Sequence, residues 1–179
     1  MFEWNVVVSV REDNYRRARE VLQALGQVKD TDFYNVLVMR VEDREAFLER
    51  FAEMLKAAPG FLDIVSRVMP AAEVFQFQTP EAFETQAKEI VLSWVPRLTG
   101  KSFHVRMHRR GFKEKMSSQT EERFLDEALL TALEEAGRPG RIDFDDPDVI
   151  IDVDTVGQRA GLSLWTRAEL ERYPILKLD

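Results

Sequence analysis

The segment 103–115 reads FHVRMHRRGFKEK and sets Arg106, Arg109, Arg110, Lys113 and Lys115 against one acid, Glu114. Five bases against one acid give +4, inside a chain whose formal net charge is -7. Phe103, Val105 and Met107 alternate with His104, Arg106 and His108, the period of a strand with one apolar and one basic face. Such a face shows a cation every ~7 Å, close to the spacing of successive phosphates. Arg109, Arg110, Lys113 and Lys115 extend the charge into a loop that leads to Ser117, Ser118 and a helix start. The free N–H groups and the positive dipole end of a helix favour anions. Cations, amides and hydroxyls thus converge, and a phosphate backbone is the partner they suit. The plainer reading is a solvated edge strand that its charges protect from aggregation.

Two other clusters carry chemistry. Asp143, Asp145, Asp146, Asp148, Asp152 and Asp154 crowd residues 142–154, which contain no base. Several carboxylates suit a hard cation, but the spacing is not that of an EF-hand loop. A structural or solvated role is expected, with Asp152 and Asp154 on one strand face, able to pair with Arg106 or Arg159. His104 and His108 lie ~13 Å apart on a strand and do not share a metal there. No phosphate-binding glycine loop, nucleophile elbow or zinc-binding helix motif occurs. Ser117, Ser118 and Ser163 have no base partner in sequence. No catalytic residue, cofactor or metal is therefore expected.

The elements that must position these residues follow from composition and period. The chain has 179 residues, 45% of them apolar, with 12 Phe and no Cys. That suffices for a packed core of one domain or two small ones, and it excludes disulfides and thiolate chemistry. The start, MFEWNVVVSV, lacks a basic n-region, and no apolar run approaches the ~20 residues of a membrane span. A cytoplasmic protein without membrane contact is expected. Residues 4–10 read as a strand and 14–25 as a helix, with Gly26 as a left-handed stop. A short edge strand over 27–32 and a strand over 35–41 follow. Asp43 then caps a helix over 45–58, which Pro59-Gly60 ends. Residues 63–70 and 73–77 are extended. Strand, helix, strand, strand, helix, strand is the split βαβ order of a ferredoxin-like unit.

Thr79-Pro80-Glu81 opens a helix that reaches about residue 98. Ser118-Gln119-Thr120-Glu121 fits a capping box, and the helix behind it carries Phe124, Leu125, Ala128, Leu129, Ala132 and Leu133 on one stripe. Residues 149–153 and 160–165 form a hairpin about Val156-Gly157-Gln158. The charged tail from Thr166 is expected to be loosely held.

With these elements in place, FHVRMHRRG at 103–111, SSQ at 117–119, IDFDDPDVIIDVD at 142–154 and the strand at 162–165 resemble a THUMP domain. This is the RNA-binding module of thiouridine synthetases, several tRNA methyltransferases and pseudouridine synthases. The resemblance covers about residues 75–168, and the first half resembles the ferredoxin-like domain that precedes THUMP there. It implies an α+β protein: a ferredoxin-like βαββαβ unit over 1–75, a THUMP-like α/β domain over 76–168 and a tail over 169–179. The family's catalytic domain does not follow in this sequence, so the resemblance implies a stand-alone adaptor. Such a protein binds the tRNA acceptor stem and 3′ end for a separate modifying enzyme, as in acetylcytidine formation. The site it implies comprises Arg106, Arg109, Arg110, Ser117 and Ser118, to which Lys113 and Lys115 add less securely. His108, by protonation, and Arg159 complete the expected RNA-binding set. The alternative function is a regulatory module that oligomerises through its sheets and binds no RNA.

Overall fold

Val6, Val7 and Val8 are almost wholly buried. Three β-branched residues in succession favour extended backbone, and they open β1 (Val6–Val10). The computed structural model describes residues 1–176, and the chain folds as two units. Residues 1–72, joined by the chain from Glu169, make the first; residues 73–168 make the second.

In the first unit β1 is followed by α1 (Tyr15–Leu22), β2 (Gln27–Asp30), β3 (Val36–Arg40), α2 (Arg44–Ala57) and β4 (Val65–Pro70). Its sheet has the order β2-β3-β1-β4, and every pairing is antiparallel. Asp43 caps α2 by accepting the amide of Ala46 at 2.8 Å. Phe47, Leu48 and Phe51 form its buried face, while Met54 and Leu55 are half-buried.

Two expectations fail here. Gly26 is not a left-handed cap: α1 stops at Leu22 and the cap residue Gln23 is right-handed, with φ -59. The glycine is required by close approach instead, since a Cβ there would lie 2.8 Å from the backbone oxygen of Arg40. Gly26→Ala is expected to cost about 1–3 kcal/mol, because backbone cannot step aside as a side chain can; urea denaturation measures it. The tail is not loose as far as Leu176, and its last three residues lie outside the described ones. Leu170 of α6 (Arg167–Arg172) and Ile175 and Leu176 after it are buried, and the hydroxyl of Tyr173 donates to Glu49 at 2.5 Å. The apolar spacing of Leu170, Ile175 and Leu176 outweighs the charges between them.

The second unit contains β5 (Glu73–Gln76), α3 (Pro80–Ser93), the single turn α4 (Val95–Leu98), β6 (Ser102–His108), α5 (Ser118–Glu135), β7 (Arg141–Ile142), β8 (Val149–Val156) and β9 (Arg159–Thr166). The sheet order is β5-β9-β8-β6-β7. β5 therefore pairs with β9 rather than with the first sheet, and the division falls at 72/73 instead of 75/76. β6 runs parallel to both β8 and β7, which requires the long crossover that α5 supplies. One sheet face carries Phe103, Val105, Ile151, Val153, Leu162 and Leu164 into a common core with Phe83, Val91, Leu125, Leu129 and Leu133 of the helices. Thr79 caps α3 through the amide of Ala82 at 3.1 Å, and Pro80 holds its first position. The helix breaks at Trp94 because Pro96 cannot continue the ladder. No described helix is long and apolar enough to cross a membrane.

Candidate nucleic-acid interface

The basic segment is held from inside. Gly111 and Phe112 take positive φ values of 101° and 54°. This turn carries the Phe112 ring to 5.1 Å from Phe77, within the aromatic group that also includes Phe83. The half-buried ring anchors the loop, and Lys113 and Lys115 on its far side are exposed. Met116 is buried, and Ser117 then opens α5 by accepting the amide of Thr120 at 3.4 Å. The cap is Ser117, one residue before the expected Ser118, which is the first helical residue and half-buried.

The strand that precedes the loop is not a solvated basic face. β6 is interior, between β8 and β7. His104 is only 9% exposed, with its Nδ1 3.5 Å from the carboxylate of Asp126 and its ring edge-on to Phe144. The parallel register sets Arg106 beside Asp152 and His108 beside Asp154. β7 pairs β6 only at Ser102 and Phe103, and beyond them α5 closes that edge: Asp126 accepts the amide of Val105 at 3.1 Å, and Glu122 that of Met107 at 2.8 Å. The sequence shows the alternation but not the register; Asp152 and Asp154 were expected to face Arg106 or Arg159, and the register sets Asp152 beside Arg106 while Asp154 lies beside His108.

The expected residues therefore separate. Arg110 pairs with Asp154 at 2.6 Å, where the carboxylate is fully buried and the Arg110 side chain 14% exposed. Its amide is also tied to Thr155, by the hydroxyl and the backbone oxygen, each at 3.1 Å. Arg159 is buried. Arg106 and His108 are half-buried in the same charged layer. Arg109 folds back to donate to the backbone oxygen of Gly111 and is half-buried. Lys113, Lys115 and Ser117 remain exposed, with Ser118 behind them.

His108, Asp152 and Asp154 bring ligand-type atoms within 4.8 Å of one another. Arg110 already neutralises Asp154 from within hydrogen-bond distance. The set reads as a buried ion-pair layer, since a metal would have to displace that guanidinium. The acidic loop is also internally engaged. The carboxylate of Asp143 accepts the amides of Asp145 and Asp146, both at 2.9 Å, which holds its pKa below the usual carboxylate range. Asp148 accepts the amide of Ser102 at 2.9 Å while its own amide donates to the Ser102 hydroxyl at 2.9 Å. That amide, and then the hydrogen bond from Arg167, lower the Asp148 pKa.

No family model matches the chain, and no curated protein matches it. Solved structures do. PH1313 from Pyrococcus horikoshii superposes with a TM-score of 0.59 at 12% identity, over 89% of this chain and 53% of its own. TrmN from Thermus thermophilus gives 0.59 at 21% identity, over 89% of this chain and 44% of its own. A 4-thiouridine synthetase, crystallised with RNA and ATP, gives 0.51 at 13%, over 92% and 42%. The fold is THUMP-like. The chain spans about half or less of the length of each of these proteins.

Within this fold the helix start holds acids that the expected site did not include. A cleft of about 440 Å³ is lined by Lys113, Lys115 and Ser117 together with Glu81, Glu84 and Glu121. Glu121 is 3% exposed. Burial, then the charge of Glu84 and its hydrogen bond, then the charge of Glu81, push the Glu121 pKa up to about 7. A signal for it was present. Glu121, Leu125 and Leu129 recur at intervals of four, so the acid lies on the inward stripe.

Proposed function

We propose that the chain is a non-catalytic RNA-binding protein that holds the acceptor stem and 3′ end of tRNA for a separate modifying enzyme, with acetylcytidine formation as the reaction served. One observation carries this reading: Lys113 and Lys115 stand exposed on an anchored loop beside Ser117 at the start of an 18-residue helix. Exposed ammonium groups on a fixed loop are what phosphate contacts need. The likeness of fold to a 4-thiouridine synthetase crystallised with RNA supports the partner class. The first unit reads as ferredoxin-like, a reading supported by its split βαβ order and fully antiparallel sheet. Arg109 flanks the lysines, Ser117 and Ser118 offer hydroxyls, and Arg106, His108, Arg110 and Arg159 shape the strand beneath. A cytoplasmic location fits this role.

The test is a titration of total tRNA at several salt concentrations, with the wild type beside Lys113→Glu/Lys115→Glu. Both residues are exposed, so the variant is expected to fold. Wild-type affinity should fall steeply with salt. The variant should bind at least about tenfold more weakly, with a log–log salt slope shallower by about two, one for each lost phosphate contact. Equal affinity and slope in the two proteins would remove the loop from the site. No binding by the wild type at low salt would favour the regulatory module.

A further inference from the structure

Glu122, Arg123, Asp126, Glu127 and Leu130 recur at helical spacing, so one face of α5 shows all five. That face is one wall of a cleft of about 580 Å³, and His104, Ile142 and Phe144 form the other. The face that holds Glu121 is a different one, so the cleft is separate from the lysine loop. Phe144 is 69% exposed, a large aromatic ring left in solvent. It is nonetheless fixed: the ring meets His104 edge-on at 4.7 Å, and Asp143 holds the loop through the amides of Asp145 and Asp146. Glu122 gives one oxygen to the amide of Met107, and among the described residues the other has no partner. Neither Glu127 nor Arg123 is ion-paired among them. Glu122 is half-buried and Glu127 exposed, so a ligand reaches both carboxylates. The Nδ1 side of His104 is already turned to Asp126, at 3.5 Å. Three acids against one arginine make the cleft negative.

We propose that this cleft is a docking site for an arginine side chain of a partner protein. Charge and shape together select that occupant. The acids repel a phosphate, so RNA does not suit this wall as it suits the lysine loop. An apolar side chain would cover Glu122 and Glu127 without giving them a donor, at a cost in desolvation. An ammonium group answers the acids but has no face to lay on a ring. A guanidinium is planar and weakly hydrated, stacks on an aromatic ring and directs its donors in its own plane toward carboxylates. Phe144 beside Glu122 and Glu127 offers both kinds of contact within one cleft. Arginine and exposed aromatic rings are also the residues on which protein interfaces concentrate their binding energy. The surface stands without RNA. Only the identity of the partner, as the modifying enzyme that an adaptor serves, rests on the function proposed above.

The experiment uses the full chain without RNA, so its failure is separate from failure of the RNA reading. A capped alanine–arginine–alanine peptide and its citrulline counterpart are titrated while the amide resonances of residues 119–130 and 142–146 are followed. Saturable shifts confined to these segments are expected with the arginine peptide. The citrulline peptide keeps the shape without the charge. It should bind at least about fivefold more weakly, the factor one unit charge contributes at ~4 Å in water. Phe144→Ala should weaken binding of the arginine peptide by about two- to fivefold, the share of the ring. Glu127→Gln should weaken it in the same direction, and both positions are exposed, which guards against a folding defect. Non-saturating shifts, equal affinity for the two peptides, or no loss in either variant overturn the proposal. So does tighter binding by cytidine monophosphate or by free arginine than by the arginine peptide, since the cleft would then belong to RNA or to a small molecule. Shifts of the same residues that grow with protein concentration alone and vanish in Phe144→Ala would assign the cleft to a second copy of the chain, and overturn it too.

Discussion

Arg110→Ala is expected to destabilise the protein by about 3 kcal/mol or more, as losing one partner of a buried ion pair generally does. Asp154 is 0% exposed, and the Arg110 guanidinium lies 2.6 Å from its carboxylate. Truncating the arginine leaves a carboxylate without water and without that counter-charge. The cost is in desolvation rather than in the lost attraction, so Asp154→Asn should restore part of the stability that Arg110→Ala removes. Urea denaturation of both single variants and the double variant gives the coupling. A coupling near zero, or a loss below about 0.5 kcal/mol for Arg110→Ala, would mean that the pair is not structural. The same result bears on RNA. Arg110 belongs by sequence to the basic cluster, but a charge reversal there tests folding before it tests binding. The lysines beyond Phe112 separate the two effects.

This distinction marks how far the sequence could be read. Local chemistry was legible. Asp43 and Thr79-Pro80 open helices where cap preferences place them, and the hairpin turns at Gly157, whose φ is +61°. The alternation of β6 and the stripe of α5 were legible too, because period alone fixes them. Pairing was not. That β6 runs parallel to β8 is decided by packing over residues far apart in sequence, and it is this register that sets His108 against Asp154. A one-residue shift mattered as well. Ser118 and Glu121 fit a capping box, in which the glutamate reaches back to the helix start. With Ser117 as the cap, Glu121 instead turns toward Glu84 of α3. Exposed Lys113 and Lys115 follow from Gly111 and Phe112, where the chain reverses so that the ring packs against the core and the residues after it face solvent. Composition gave no sign of that division between buried and exposed bases.

The glutamate gives the second large effect. Glu121→Gln should stabilise the protein by about 2–3 kcal/mol at pH 8, against the usual sign for a buried substitution. The folded carboxyl titrates at about 7, from an ordinary value of 4.5. A carboxyl raised in the folded state binds its proton more tightly there than in the unfolded chain. Its contribution is fully present below about pH 4.5 and is lost as pH rises through about 7. The shift would correspond to about 3 kcal/mol at ~1.4 kcal/mol for each pH unit, and relaxation of the cleft lowers it somewhat. Glutamine keeps the shape of the neutral acid and cannot ionise. The variant should therefore differ from wild type by less than about 1 kcal/mol at pH 5, with the gap widening up to pH 8. Denaturation midpoints of both proteins across that range measure it. A gap independent of pH would mean that Glu121 shares no proton with Glu84, and the charge in the cleft would have to be balanced by other groups. A gap that widens as expected locates the stress where α3 packs on α5. There the residues that cap and fill the two helices bring like charges together beside the exposed lysines, so the stability of the helix pair and the charge of the loop's surroundings change over the same range of pH.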